Sequence, residues 1–185
     1  MTTRRDHNSG LPQPAERRLT EIQALVVALI HKLLASGSAD VDAAIEDGLA
    51  RLGSYAGRDR AYVFLVSGPV ASNTHEWCAP GIAPMIDQLQ DLQVADYMAL
   101  FTPLRANQML NIADIADFAP GSPEFEILAA QEIRSVLLVP MMDDAGLFGF
   151  VGFDSVCARG DFLPGETYLL RAFADVVRAV LMRRR

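Results

Sequence analysis

Amphipathic helical patterns stand at both ends of this 185-residue chain, and strand-like segments lie between them. In residues 15–35 and again in residues 165–185, apolar side chains recur at steps of three and four, which is the spacing of one helix face. The apolar residues at these steps are Leu19, Ile22, Val26, Leu29 and Leu33 in the first segment, and Leu169, Phe173, Val176 and Val180 in the second. Because each helix must bury its apolar face, this order predicts an α+β fold in which both terminal helices pack on one sheet.

Five strand-like runs lie between these helices. Residues 61–67 and 71–78 flank a Gly-Pro turn, and residues 135–142 and 147–156 flank an Asp-Asp-Ala-Gly turn, which is a hairpin signal. A shorter run at residues 109–115 is the fifth candidate. We predict that these runs form a central antiparallel sheet with the N- and C-terminal helices on one of its faces.

The cover of the second sheet face is predicted to be irregular. Prolines at positions 80, 84 and 103 interrupt residues 79–108, and this stretch therefore predicts short helices and loops. Short pieces and loops leave a cavity beneath them more readily than long helices do. We therefore predict that residues 79–134 cover a pocket on this face.

Charge and hydropathy exclude several classes of protein. The net charge of the whole chain is −7. Residues 1–18 carry +2 and residues 171–185 carry +4, so the residues between them carry −13. An acidic body repels a phosphate backbone, and we expect no nucleic-acid partner. No uncharged run reaches the roughly 18 residues that a membrane span needs. We therefore expect a cytoplasmic protein that has no membrane partner.

The domain organisation is predicted to be simple. Residues 1–14 are polar and broken by glycine and proline, which is typical of a disordered tail. The rest of the chain, residues 15–185, has the length and apolar content of one domain, since 51% of the whole sequence is hydrophobic. We expect a single domain that includes both terminal helices.

Four motifs in a fixed order carry a resemblance to a known family. They are Asp-Arg-Ala-Tyr-Val-Phe at 59–64, Ser-Asn-Thr-His-Glu-Trp-Cys at 72–78, Ile-Arg-Ser-Val-Leu-Leu-Val-Pro at 133–140 and Gly-Phe-Val-Gly-Phe-Asp at 149–154. With the order of elements, they resemble a GAF domain over residues 18–182. The version with SNTHEWC resembles those found in bacterial signalling proteins beside diguanylate cyclase, phosphodiesterase or histidine kinase modules.

The resemblance implies a sensory or regulatory module that binds a small molecule, and no enzymatic activity. Ligands of the family include cyclic nucleotides, bilins, haem and metabolites, so the resemblance selects neither a ligand nor a cofactor. The sequence lacks the cysteine–histidine pair of bilin-binding relatives and the NKFDE motif of cyclic-nucleotide-binding relatives. A covalent bilin and a cyclic nucleotide are therefore not expected.

Five residues are predicted to line the pocket, and two of them have a structural alternative. Trp77 fits a pocket wall and a core position equally well, because its large ring suits either place. Asp114 follows a strand end, where its carboxylate would bind a ligand or cap a turn. The five predicted ligand-binding residues are Trp77, Tyr97, Phe101, Asp114 and Leu138.

Two further chemistries are weighed against structural roles. His75, Glu76 and Cys78 are close in sequence, but on a strand His75 faces away from the other two, which disfavours a shared metal ion. Cys78 and Cys157 would be the two thiols of an enzyme that resembles the free methionine sulfoxide reductases of the GAF family. The cysteine-rich pattern of those enzymes is missing around both, and buried inert thiols are favoured.

The terminal helices carry more apolar surface than one small sheet can cover. Leu25, Ile30 and Leu34 widen the stripe of the first helix, and further leucines and valines widen that of the last. We therefore predict a homodimer formed by the helices that run from Leu19 to Leu34 and from Leu169 to Leu181. A change in the pocket would shift these helices and an attached output domain or protein. The competing hypothesis is a dimerisation module whose pocket is filled by its own side chains.

Overall fold

The computed structural model describes residues 14–184, with side chains from residue 20 onward. Apart from Pro14, the predicted disordered tail lies outside the described residues. The helices of the described chain are α1 (Pro14–Ala35), α2 (Val41–Ala56), α3 (Met98–Arg105), α4 (Pro123–Ala129) and α5 (Pro164–Met182). Its strands are β1 (Arg60–Ser67), β2 (Val70–Cys78), β3 (Leu92–Gln93), β4 (Leu110–Ile112), β5 (Ser135–Asp143) and β6 (Gly146–Ser155).

The strands form one antiparallel sheet in the order β3-β2-β1-β6-β5-β4. The predicted hairpin joins β5 to β6, and Gly146 in its turn has φ 125°, a left-handed conformation that favours glycine. Every residue of β5 from Ser135 to Met141 is buried, because both faces of the sheet are covered. This sheet with its helices confirms the predicted α+β class.

One face of the sheet is covered by the terminal helices α1 and α5, as predicted, and by α2 beside them. The side chains of Ile45, Phe153 and Leu169 are fully buried in this core. α1 and α5 run in the same direction: a Cβ on Gly165 would lie 3.0 Å from Ile22 near their starts, and farther along residues 26–33 of α1 face residues 169–176 of α5. Within residues 14–184, no helix is long and apolar enough to cross a membrane.

The opposite face is covered by short elements, also as predicted. These are α3, α4 and short 3-10 turns at Ile86–Gln88 and Val94–Asp96. Ser122 accepts a hydrogen bond from the Phe125 amide at the start of α4, which caps this helix. Because each piece is too short to fill the face alone, the loops between them complete the cover.

Two irregularities interrupt the regular alternation of the strands. In β2 the pairing register with β1 shifts between Val63 and Phe64, so Thr74 is an extra residue. In β6 the register with β5 shifts beside Phe148, which turns toward the helix-covered face while Phe150 stays on the other. Each bulge changes which side chains lie on the loop-covered side of the sheet.

Candidate functional site

A cavity of about 60 Å³ lies between the loop-covered sheet face and its cover. Strands β1, β5 and β6 form its floor, and α3, α4 and the loops around Leu89 and Gln131 form its walls. Its surface is largely apolar. Its lining includes Tyr62, Phe64, Glu76, Tyr97, Phe101, Leu138, Phe150 and Asp154.

Three phenylalanine rings fix the shape of the apolar part. Phe64 on β1 stacks on Phe150 of β6, with ring centroids 4.7 Å apart and planes 8° from parallel. Phe101 of α3 meets Phe150 edge-on at 5.9 Å. Such contacts add to the free energy gained from burial alone, so they favour this arrangement of the three rings.

Tyr62 and Asp154 begin a polar end of the cavity. The Tyr62 hydroxyl donates a 2.7 Å hydrogen bond to Asp154 Oδ1, and both side chains are buried. The Tyr62 ring lies across Gly152, where a Cβ atom would come within 2.3 Å of the ring. Gly152 therefore leaves the space that allows Tyr62 to reach Asp154.

Arg60 is the buried cation beside this pair. It is 2% exposed, and its Nε and Nη1 donate to the backbone carbonyls of Ala83 and Gln131. Its Nη1 is 4.0 Å from Asp154 Oδ2, an ion-pair distance that is too long for a hydrogen bond. Arg60 therefore ties the loops to the sheet and only partly balances the charge of Asp154.

Glu76 completes the polar end, and the β2 bulge places it there. Its Oε2 accepts from the amides of Met85 and Ile86 at 2.8 and 3.0 Å, and its Oε1 accepts from Asn73 at 3.4 Å. In a regular strand Asn73 and Glu76 would face opposite sides, since they are three residues apart. The extra residue Thr74 brings both to the loop-covered side.

The carboxyl of Asp154 has an unusually high pKa. Its pKa is raised to about 7, chiefly by burial and to a lesser extent by the carboxylates of Glu76 and Asp59, whereas Tyr62 and Arg60 oppose the rise. A carboxyl with such a pKa carries a proton about half of the time at neutral pH. The charge of the cavity end therefore responds to whatever enters it.

The five predicted pocket residues fall in two groups. Tyr97, Phe101 and Leu138 lie on the cavity wall, and their role in binding a ligand stays a prediction. Trp77 does not lie there: its ring packs on α2 over Gly53, where a Cβ would meet it at 2.2 Å, in the helix-side core. Asp114 is also away from the cavity, because it caps a 3-10 turn at the Ala116 amide and pairs with Arg159.

The sequence predictions missed the polar end of the cavity. Tyr62, Glu76 and Asp154 all lie in motifs that support the family resemblance, but their residue types alone did not indicate a pocket. Period-two alternation was the available signal, because it places Tyr62 and Phe64 on one face of β1. The bulge removes this signal for Glu76.

Neither the metal nor the thiol hypothesis gains support. His75 bonds Asp42 on the helix side while Glu76 faces the cavity, and no group of three or more suitable side chains within the described residues could hold a metal ion. Cys78 and Cys157 are both free thiols, but the expectation that both are buried was wrong, because Cys78 is half-buried and Cys157 is exposed just after the end of β6. Burial, aided by Glu76, raises the pKa of Cys78 to about 11, so little attacking thiolate forms there at neutral pH.

Comparison with known proteins identifies the family. The family model of the GAF domain matches residues 40–181. This chain therefore belongs to the GAF domain family, which confirms the resemblance of its motifs. The methanogenesis regulatory histidine kinase FilI of Methanothrix harundinacea (strain 6Ac) is 32% identical over 187 aligned positions. The match covers 91% of this chain but 21% of that kinase, so this chain spans about a fifth of its length.

Solved structures share the fold at low sequence identity. The chromophore-binding domain of the bacteriophytochrome RpBphP3 from R. palustris superposes with a TM-score of 0.72 at 17% identity, covering 94% of this chain and 64% of that one. The blue-light-absorbing PixJ GAF domain of Thermosynechococcus elongatus gives a TM-score of 0.63 at 19% identity, covering 94% and 90%. These likenesses show that the chain has the fold of these domains.

Proposed function

We propose that this chain is a sensory GAF domain that binds a small molecule in the cavity and relays its presence through α1 and α5. The observation that carries the proposal is the division of the sheet. One face holds a cavity with a buried polar end, and the other packs the terminal helices. The regulatory kinase with a related segment and the chromophore-binding domains of the same fold support this assignment. Binding and relay need no catalytic group, and we propose a cytoplasmic regulator rather than an enzyme.

A chain of polar contacts supports the relay. Glu76 lines the cavity, and the preceding residue on β2, His75, contacts Asp42 Oδ1 on the other face with its Nε2 at 3.2 Å. Asp42 also accepts from Arg184, two residues beyond the end of α5, with Nη2 and Oδ2 3.2 Å apart. A shift of β2 at the cavity would therefore act on the end of α5, toward an output domain or protein.

Occupation of the cavity is tested with two neighbouring residues of β5. In a thermal-shift screen of metabolites at about 100 times Kd, a ligand adds about 2.7 kcal/mol, which raises Tm by roughly 5–10 °C in a domain of this size. We expect Leu138→Phe to abolish this rise, because Leu138 lines the cavity. Leu137→Phe is the matched control: Leu137 faces the helix-side core, so it should lower Tm but keep the rise.

A second candidate function is favoured by the small volume. Ligand pockets usually measure about 300–1,000 Å³, whereas this cavity measures about 60 Å³. A dimerisation module whose own side chains fill most of the pocket would show this value. Under that reading no compound raises Tm, and Leu138→Phe leaves the protein as stable as before or more so.

The homodimer is tested on the outer side of α1. Val27 and Leu34 are 50% and 49% exposed and lie seven residues apart on one helix face. Light scattering at tens of micromolar should show a dimer, and Leu34→Glu should give a monomer because a charge replaces part of the apolar contact. Ala43→Glu on an exposed position of α2 is the control and should stay dimeric. A monomeric parent protein would contradict the dimer.

A further inference from the structure

We infer that the cavity takes a small aliphatic amine, bound as its ammonium ion between Asp154 and the phenylalanine rings. This inference rests on the proposed function and names the chemical class of its ligand. It is carried by three features of the cavity: an excess of carboxylates at its polar end, a carboxylate oxygen without a donor, and an apolar remainder of small volume.

The charges at the polar end do not balance. Three carboxyl groups stand against one guanidinium: the charges of Glu76 on β2 and Asp59 before β1 both act on Asp154 of β6, and Arg60 on β1 is the cation that opposes them. The remaining titratable group beside Asp154 is the hydroxyl of Tyr62. It carries no charge at neutral pH, because burial raises its pKa. The end is therefore short of positive charge, which a cationic ligand group would supply.

One carboxylate oxygen is available to such a group. Asp154 is 2% exposed and lines the cavity, and its Oδ1 accepts from Tyr62. Its Oδ2 accepts no hydrogen bond from the described residues, since the nearest Arg60 nitrogen is 4.0 Å away. Because Asp154 lines the cavity, this oxygen is open to a ligand, and an N–H donor placed there would form a charge-assisted hydrogen bond.

The neighbouring carboxylate does not compete for this role. Both oxygens of Glu76 already accept hydrogen bonds, from the amides of Met85 and Ile86 and from the side chain of Asn73. Glu76 thus holds the loop and contributes negative potential at a distance. Asp154 is the group that contacts the ligand.

An anionic ligand is disfavoured by the same geometry. Arg60 is the cation beside this end, but it does not line the cavity, and its Nε and Nη1 donate to backbone carbonyls of the surrounding loops. A bound carboxylate or phosphate would also lie beside Asp154 and Glu76, and like charges at such distances repel. Recognition at this end therefore requires a donor that carries positive charge.

The apolar remainder sets the size and shape of the ligand. The aromatic faces of Phe64 and Phe150 attract a cation as well as a hydrocarbon. The free volume of about 60 Å³ is well below the roughly 150 Å³ of a cavity that admits benzene. An amine with three or four carbon atoms matches this space better than an aromatic amine.

Isobutylamine, isobutanol and isobutyrate form a test set with one carbon skeleton and three polar ends. Calorimetric titration of the full chain at pH 8 should give a Kd for isobutylamine at least tenfold below that for isobutanol, and no binding of isobutyrate. Benzylamine should bind more weakly than isobutylamine. Affinity for the amine should fall more than tenfold at pH 5.5, because Asp154 must be ionised to pair with it.

Matched variants locate the effect. Asp154→Asn should bring the affinities for isobutylamine and isobutanol within threefold of each other, while Asp161→Asn, at an exposed carboxyl, should keep the tenfold preference. The inference is overturned if isobutanol or isobutyrate binds as tightly as the amine, or if Asp154→Asn retains the preference. It is also overturned if the set fails to bind and the metabolite screen yields only neutral or anionic ligands, in which case the sensory function stands. If nothing in the set or the screen raises Tm, both proposals fall.

Discussion

Glu166→Ala should cost about 3–5 kcal/mol of unfolding free energy, since it leaves a nearly buried guanidinium without its partner. Glu166 is 6% exposed and accepts from Nε and Nη2 of Arg58, both at 2.8 Å. Its carboxylate also accepts from the Leu163 amide and so caps the start of α5. The substitution thus removes an ion pair and a helix cap together, and urea denaturation monitored by circular dichroism measures the loss.

The control is an exposed ion pair between two helices on the same side of the sheet. Lys32 on α1 and Asp47 on α2 are 2.8 Å apart, and both side chains are more than 40% exposed. Asp47→Ala should therefore cost at most about 1 kcal/mol, because solvent screens such a pair. Equal losses in the two variants would contradict the argument that burial gives the Arg58–Glu166 pair its importance to the anchoring of α5.

Asp154→Asn should become progressively more stable than the parent protein as pH rises from 5 to 8. In the folded chain the pKa of Asp154 is raised to about 7, against about 3.9 in an unfolded chain. Between these values the folded state binds more protons than the unfolded state, so this group lowers stability as pH rises. About three pKa units correspond to an upper bound of about 4 kcal/mol by pH 8.

The difference between the variant and the parent isolates this group, because all other titrating groups are shared. The unfolding free energies are measured in urea at half-unit steps of pH. Asp161→Asn serves as the control, and its curve should run parallel to that of the parent. If the Asp154→Asn curve is parallel as well, Asp154 is ionised throughout and the electrostatics proposed for the cavity end are wrong.

The parts of the fold that follow a regular period were predictable from the sequence. The spacing of Leu169 and Phe173 on α5 indicated a helix with one buried face, and both residues are buried there. The Asp-Asp-Ala-Gly turn indicated the β5–β6 hairpin. The two-residue strand β3 was not predicted, because a strand that short has no measurable period and forms only where β2 offers an edge.

The residues that line the pocket were predicted only in part, because strand alternation does not decide every position and β-bulges interrupt it. Phe101 and Leu138 were placed by their position in the cover and in the sheet. For Trp77 the sequence left a wall and a core position open, and the structure places its ring in the helix-side core, in the space left by Gly53. Phe148 would share the face of Phe150 by strict alternation, but a bulge turns it to the other side.

The sequence by itself determined the family, the class of fold and the irregular cover, because periodicity, turn residues and ordered motifs are local properties of the chain. Tertiary structure alone decided that Tyr62, Glu76 and Asp154 meet at one end of a cavity. Their meeting depends on the register between β1, β2 and β6 and on one extra residue at Thr74. The raised pKa of Asp154 arises from the same assembly, because burial and neighbouring charges exist only after the strands have paired.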